Sequence, residues 1–310
     1  MTFKKPRACS GFFCFQKKIF KFDKIHPNFL DNLKNMFFQI KNRALLRVSG
    51  SDAESFLQAQ LSNDIFKLDD QSIQLSAYCQ HQGKIIVLLW VMRFKDSFLI
   101  SFPEDLKDKV ITRLQMFIIM SEVIIEDFSE RCFQIGSINE NHENAYSINE
   151  NLSLLIDLDG QINQELDPNS EIWNKAFIDY QIPEVFLSTS EKLVPQMLNL
   201  DINEVGVNFS KGCYPGQEVV ARLYYLGEAK RRLFSFECDY EIQIGDNLYC
   251  SSSKAAKARG DRYKGSGIVV NSVKFNSKFY CLATLDVELK DNKITINNEY
   301  GNTLNRINYE

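Results

Sequence analysis

The residues best suited to chemistry lie in one run, Lys211-Gly212-Cys213-Tyr214-Pro215-Gly216-Gln217-Glu218, which continues into Val219-Val220-Ala221-Arg222. It sets one cysteine between two glycines, beside a lysine and just ahead of a helix-like segment. The thiolate is the nucleophilic and metal-binding form of cysteine, and a neighbouring cation or a helix N-terminus favours it. Cys213 and Lys211 are therefore the candidate catalytic pair, with Lys211 the expected electrostatic partner of the sulfur. Gly212 and Gly216 admit backbone conformations that other residues resist, so the thiol can be presented rather than packed. The spacing is equally compatible with a tight turn around a buried, inert thiol, because free cysteine is among the most buried residue types. Tyr214 either packs over the sulfur or fills the core. Gln217 and Glu218 suit the start of a helix, and Glu218 stands four residues before Arg222, the favourable order for a helical ion pair.

The remaining composition excludes more than it offers. Eight cysteines are spread over 310 residues, none in C-x-x-C spacing, and only three histidines accompany them. No metal site is expected from that supply. His81 reads as a solvated loop histidine. Reduced thiols and a cytoplasmic setting are the expectation, with no disulfide framework. The longest apolar run, Ile85 to Met92, is too short to cross a bilayer and reads as a buried strand, so no membrane partner is expected. The net charge of −4 hides an asymmetry of about +8 over residues 1–43 and about −12 beyond them. Residues 1–43 read as a basic N-terminal extension. The chain as a whole is not basic enough for general nucleic-acid binding, and direct contact with nucleic acid is not expected.

The elements that must hold the cysteine run alternate between strand and helix patterns. A strand is expected at Ala44 to Val48, followed by a helix from a Ser51 or Asp52 cap to Leu61 with Ala53, Phe56, Leu57 and Leu61 on one face. Ser76 to Cys79 and Lys84 to Arg93 read as strands joined by Gln80-His81-Gln82-Gly83. Asp96 to Phe102 and Glu122 to Glu126 are further strands, with a helix from Pro103 or Glu104 to Met116 between them. A polar, variable stretch covers 138–171, with a strand at Leu152 to Ile156, and a helix runs from Ser170 to Tyr180. Beyond Gly227 short strands separated by turns, at 233–238, 247–251, 267–274, 279–285 and 293–297, read as a small antiparallel barrel. The fold class is α+β. Residues 44–228 form its body and 229–310 the barrel.

The K-G-C-Y-x-G-Q-E string resembles the signature of the YgfZ family of folate-binding proteins, which is related to the T-protein (aminomethyltransferase) of the glycine cleavage system. Seven of its eight positions match, and Pro215 stands where that family commonly has threonine. Gly50-x-Asp52-Ala53-x-x-Phe56-Leu57-Gln58-x-Gln60-Leu61-x-Asn63-Asp64, Ala77-Tyr78-Cys79 with Gly83-Lys84, and Pro195-Gln196-x-x-Asn199-Leu200 are similar to further family segments, in the expected order. The resemblance covers residues 44 to 228. It implies a T-protein-like body that binds tetrahydrofolate or a derivative, with Trp173 at one of two tryptophan positions associated with folate. Arg43 falls at the other, where a guanidinium can stack on a flat ring or pair a carboxylate. Without the resemblance Trp173 reads as a core anchor. Tyr214, Gln217 and Glu218 complete the candidate folate-binding set. The implied role is accessory: support of iron–sulfur cluster assembly or repair, and thereby of tRNA modification, with iron–sulfur client enzymes as partners. A folate-dependent aminomethyltransferase and a non-catalytic folate-binding scaffold are the alternatives.

Overall fold

Strand β2 (Arg43–Ser49) shows how the chain builds two cores from one sheet. Successive side chains of a strand point to opposite faces, and here Ala44, Leu46 and Val48 face one apolar cluster while Leu45 faces another. In this computed structural model, which describes residues 36–139, 142–158, 160, 165–252 and 265–308, β2 belongs to a five-stranded antiparallel sheet. Its partners are β3 (Gln74–Cys79), β4 (Ile85–Phe94), β5 (Ser97–Pro103) and β6 (Ile124–Asp127), in the order β3-β4-β5-β2-β6. Helices α1 (Ala53–Gln60) and α2 (Lys107–Gln115) cover one face through Phe56, Leu57, Val110 and Leu114. With both faces covered, β4 is apolar almost throughout, as expected for a strand that water never reaches. A bulge leaves Ile86 unpaired, because Tyr78 opposes Val87 and Cys79 opposes Ile85. It places Ile86 and Val87 in the same cluster and restores the alternation beyond them.

A second sheet, order β1-β7-β9-β8, consists of β1 (Met36–Ile40), β7 (Phe133–Ile138), β8 (Tyr146–Ser147) and β9 (Leu152–Asp157). Here the structure departs from the sequence reading. Met36–Ile40 falls in the stretch read as an N-terminal extension, yet it pairs with β7 from Met36 opposite Ile138 to Ile40 opposite Gln134, with Phe38 fully buried. The reason is distance along the chain: a strand whose partner is a hundred residues away carries no local signal beyond a short apolar run. Most of the basic stretch, with Cys9 and Cys14, lies outside the described residues. The Asp52 carboxylate, expected to cap α1, instead accepts the backbone N–H of Glu122 at 2.9 Å and ties the helix start to the turn before β6.

Helix α3 (Glu171–Asp179) buries Trp173, Ala176, Phe177 and Ile178 between the sheets and the barrel. Room for the indole comes from Gly136 on β7, where an added Cβ would lie 2.6 Å from the Trp173 ring. The C-terminal strands β10 (Arg231–Cys238), β11 (Asn247–Tyr249), β12 (Gly267–Phe275), β13 (Lys278–Asp286), β14 (Ile294–Ile296) and β15 (Thr303–Arg306) form a closed antiparallel barrel, β10-β13-β12-β11-β14-β15. The expected barrel is present, with β15 closing it against β10. One apolar cluster joins Leu45, Trp90, Trp173, Leu233, Val270 and Leu282, so both sheets, α3 and the outer face of the barrel meet in it, while the barrel interior holds a cluster of its own.

Candidate functional site

The cysteine loop is pinned at both ends, and the pins explain its sequence. Gly216 has φ +84°, a left-handed conformation, and begins α4 (Gln217–Leu226). A Cβ there would lie 2.5 Å from the carbonyl oxygen of Gln80 and 2.7 Å from Cα of Gly83. The loop thus docks backbone to backbone on the Gln80–Gly83 turn, and only glycine fits. At the other end the Lys211 side chain runs inward. Its ammonium donates to the carbonyl oxygens of Gln58 (2.6 Å), Leu61 and Asn63 (3.0 Å). These lie at and just beyond the C-terminus of α1, where carbonyls lack helical partners and a cation is favoured. Burial pushes the Lys211 pKa down to about 8, with Asp64 pulling the other way. The lysine read as the partner of Cys213 therefore spends all three N–H bonds on α1 and its exit loop. Its task is to hold the loop.

Between the pins the thiol is presented. Cys213 and Gly212 are exposed, and nothing lies within 4 Å of where a Gly212 Cβ would be. Tyr214 turns inward: its ring is buried 5.3 Å from Lys211 Nζ, and burial raises its hydroxyl above the ordinary range, with Cys79 adding to the effect. The tyrosine fills the core instead of covering the sulfur. Gln217 is half-buried and Glu218 exposed at the start of α4. Among the described residues Glu218 and Arg222 form no ion pair, contrary to their spacing; both are solvated, and exposed pairs of this kind gain little.

Three buried cysteines differ in kind. Burial pushes Cys79 up to about 12 and Cys281 higher still, and Cys238 is raised as well. Iodoacetamide should therefore alkylate Cys213 in the native protein while Cys79 and Cys281 react only after denaturation. Peptide mapping by mass spectrometry reads this directly, and a native Cys213 that resists the reagent would show that the loop is closed in solution.

A second cluster lies at the centre of the molecule. Arg43, at the start of β2, places its guanidinium 4.3 Å from the centroid of Trp90. Trp90 lies 5.3 Å from Phe177, and Phe177 lies 5.2 Å from Trp173, so three aromatic rings run inward from the cation. Arg43 Nε donates to Ser101 Oγ at 2.9 Å and Nη1 to Glu184, whose own N–H is held by Asn271 Oδ1 at 3.0 Å. Ser101 donates to Gln134 Oε1 at 2.5 Å. Strands of all three sheets are thereby linked through the Arg43–Glu184 pair and its neighbours.

The structure thus brings Arg43 and Trp173 into one cluster and Lys211, Cys213, Tyr214, Gln217 and Glu218 into another. The Gln80–Gly83 turn lies beside the cysteine loop, and Trp90 stands five residues along β4 from Ile85. At ~3.3 Å per residue that is about 17 Å of strand between the clusters. Nothing in the sequence marks Trp90, Ser101, Gln134 or Glu184 as site residues. Arg43 and Glu184 are 141 positions apart, and nothing local to either announces the other.

Among the described residues no three His, Cys, Asp or Glu side chains gather as a metal site, and no helix is long and apolar enough to cross a membrane. No protein-family model matches the chain. It is 29% identical over 225 residues to an uncharacterized protein of Haemophilus influenzae, an alignment that covers 69% of this chain and 78% of that one. Among solved structures it is similar to the glycine cleavage system aminomethyltransferase T from Bartonella henselae, with a TM-score of 0.62 and 13% identity over 88% of this chain and 84% of the other. The chain therefore has the fold of that aminomethyltransferase, an α+β body followed by a closed six-stranded antiparallel barrel.

Proposed function

We propose that this chain is a YgfZ-like accessory protein that binds tetrahydrofolate or a related folate and works through the Cys213 thiol in the assembly or repair of iron–sulfur enzymes, including those that modify tRNA. The observation that carries this reading is an exposed cysteine on a loop held rigid from both sides, on the fold of an aminomethyltransferase. The motif resemblance supplies the folate and the process. The central cluster suits a folate, because a pterin is a flat polar heterocycle and the cluster offers aromatic rings, a carboxylate and a guanidinium with an unused N–H. When bound, folate would supply its one-carbon and redox chemistry, and Arg43, Glu184 and the Trp90–Phe177–Trp173 row would hold the ring. An exposed thiolate can donate one ligand to iron, or attack a disulfide of a client protein to form a mixed disulfide while the other client sulfur leaves as a thiolate. The setting implied for such a partner is the cytoplasm.

Two measurements test the reading. A titration with tetrahydrofolate should change the fluorescence of Trp90 and Trp173, both buried in the central cluster; a flat titration at millimolar ligand rules the cofactor out. In cells, Cys213→Ala should lower an iron–sulfur-dependent tRNA thiolation product severalfold without lowering the amount of the protein itself. Undiminished product in that variant would remove the thiol from the function.

A further inference from the structure

The guanidinium of Arg43 is buried with its hydrogen bonding unfinished. Its side chain is 5% exposed, and a guanidinium carries five N–H donors. Nε is satisfied by Ser101 and Nη1 by Glu184, but Nη2 has no acceptor among the described residues. As they stand, none of the neighbours serves it. The Ser101 hydroxyl already donates to Gln134, the Gln134 amide donates back to the Arg43 carbonyl oxygen at 3.2 Å, and the Glu184 carboxylate meets Nη1 while its backbone N–H is held by Asn271. A buried donor left unmet is costly enough that native structures seldom keep one without a reason.

Charge decides what the missing acceptor is. Glu184 already neutralises Arg43, and a second anion placed against that carboxylate in a buried setting would be repelled and desolvated. A neutral carbonyl oxygen meets neither penalty. Trp90 and Phe177 make the surroundings of Arg43 aromatic, a setting that suits a flat heterocycle better than a flexible chain. On the folate reading above, we infer that Arg43 Nη2 donates to the 4-oxo group of the bound pterin. Arg43 is then the residue that selects 4-oxo over 4-amino pteridines, and it does not bind the glutamate tail. A 4-amino ring presents N–H groups to a donor that has no acceptor capacity, so the pair is mismatched at that edge.

The test is calorimetric binding to the full chain of three probes: tetrahydrofolate, its 4-amino-4-deoxy analogue, and tetrahydropteroate, which lacks the glutamate. The wild type should bind the 4-amino compound roughly 10- to 100-fold more weakly than tetrahydrofolate. Arg43→Gln, whose amide can either donate or accept, should bring the two within about threefold of each other. Its weakening of tetrahydropteroate should match its weakening of tetrahydrofolate. Equal wild-type affinity for the 4-oxo and 4-amino rings overturns the inference and leaves folate binding intact. An Arg43→Gln effect that disappears with tetrahydropteroate also overturns it, since Arg43 would then read the tail. Absence of binding by all three probes overturns the folate reading together with the inference. Should Arg43→Gln fail to fold, as its thermal melt would reveal, the wild-type comparison of the two rings decides alone.

Discussion

Replacing Gly216 by valine should unseat the cysteine loop and destabilise the protein by about 2–6 kcal/mol. Two costs combine. A β-branched residue held at φ +84° carries roughly 1–3 kcal/mol of backbone strain. The added side chain also meets the Gln80 carbonyl and Gly83 Cα at distances no real Cβ tolerates, and overpacking of this kind costs typically 1–3 kcal/mol. Neither obstacle is the tip of a flexible side chain, so relief requires the loop or the hairpin turn to move. Urea unfolding should show a lower midpoint with an unchanged slope. Native-state proteolysis should cut near residue 213 faster than in the wild type. Gly212 is the control four residues away: with a φ outside the positive range and open space around it, Gly212→Ala should change stability by no more than ~0.5 kcal/mol. Equal effects at the two glycines would refute the docking of the loop on the turn.

The second large effect is expected from Lys211→Met. The substitution keeps an unbranched stem one atom shorter and removes the three donors, leaving carbonyls at and beyond the end of α1 without their partner. Each buried acceptor left unmet costs about 1–3 kcal/mol, and water admitted at the helix end recovers part of it, so a net loss of about 3 kcal/mol is expected. The loss has a pH signature. The folded-state pKa of Lys211, about 8, lies below the ~10.4 of an unfolded lysine, so between those values the unfolded chain binds more protons. Stability contributed by this group therefore rises with pH across that window, and the penalty of burying the charged form is fully present below it. The difference in unfolding free energy between wild type and Lys211→Met should grow from pH 8 to pH 10, and a difference independent of pH would show that the ammonium is solvated. Because Gly216 and Lys211 hold the same loop, Gly216→Val combined with Lys211→Met should cost less than the sum of the two.

These effects separate holding the thiol from being the thiol. Cys213→Ala should leave stability nearly unchanged, since the side chain is exposed, whereas the pins should alter both stability and the reactivity of Cys213. The two glycines of the motif likewise do different work. Gly216 is demanded by a close backbone approach, and Gly212 keeps the rim beside the sulfur open.

Much of the framework was legible along the chain because it obeys local rules. Alternation and length marked β2 through β5, helical spacing marked α1, and turn residues at regular intervals marked the barrel strands. The apolar run Ile85 to Met92 reads as a buried strand, and both of its faces are covered. The cysteine motif, the helix behind it and the hairpin turn could be placed from sequence for the same reason. What sequence left open were the choices between two compatible packings. Whether Cys213 is buried or exposed, and whether Tyr214 covers the sulfur or fills the core, depends on which side of a short loop faces another element. Only the fit of Gly216 on the Gln80–Gly83 turn settles it. The ammonium of Lys211 went to α1 and its exit loop, some 150 residues away in sequence, because unpaired carbonyls there attract a cation more strongly than a solvated thiol does. The Arg43–Glu184–Ser101 cluster and the pairing of β1 with β7 were decided in the same way. Such contacts join residues roughly 60 to 140 positions apart, and their free energy arises from burial that exists only once the sheets and barrel have closed around them.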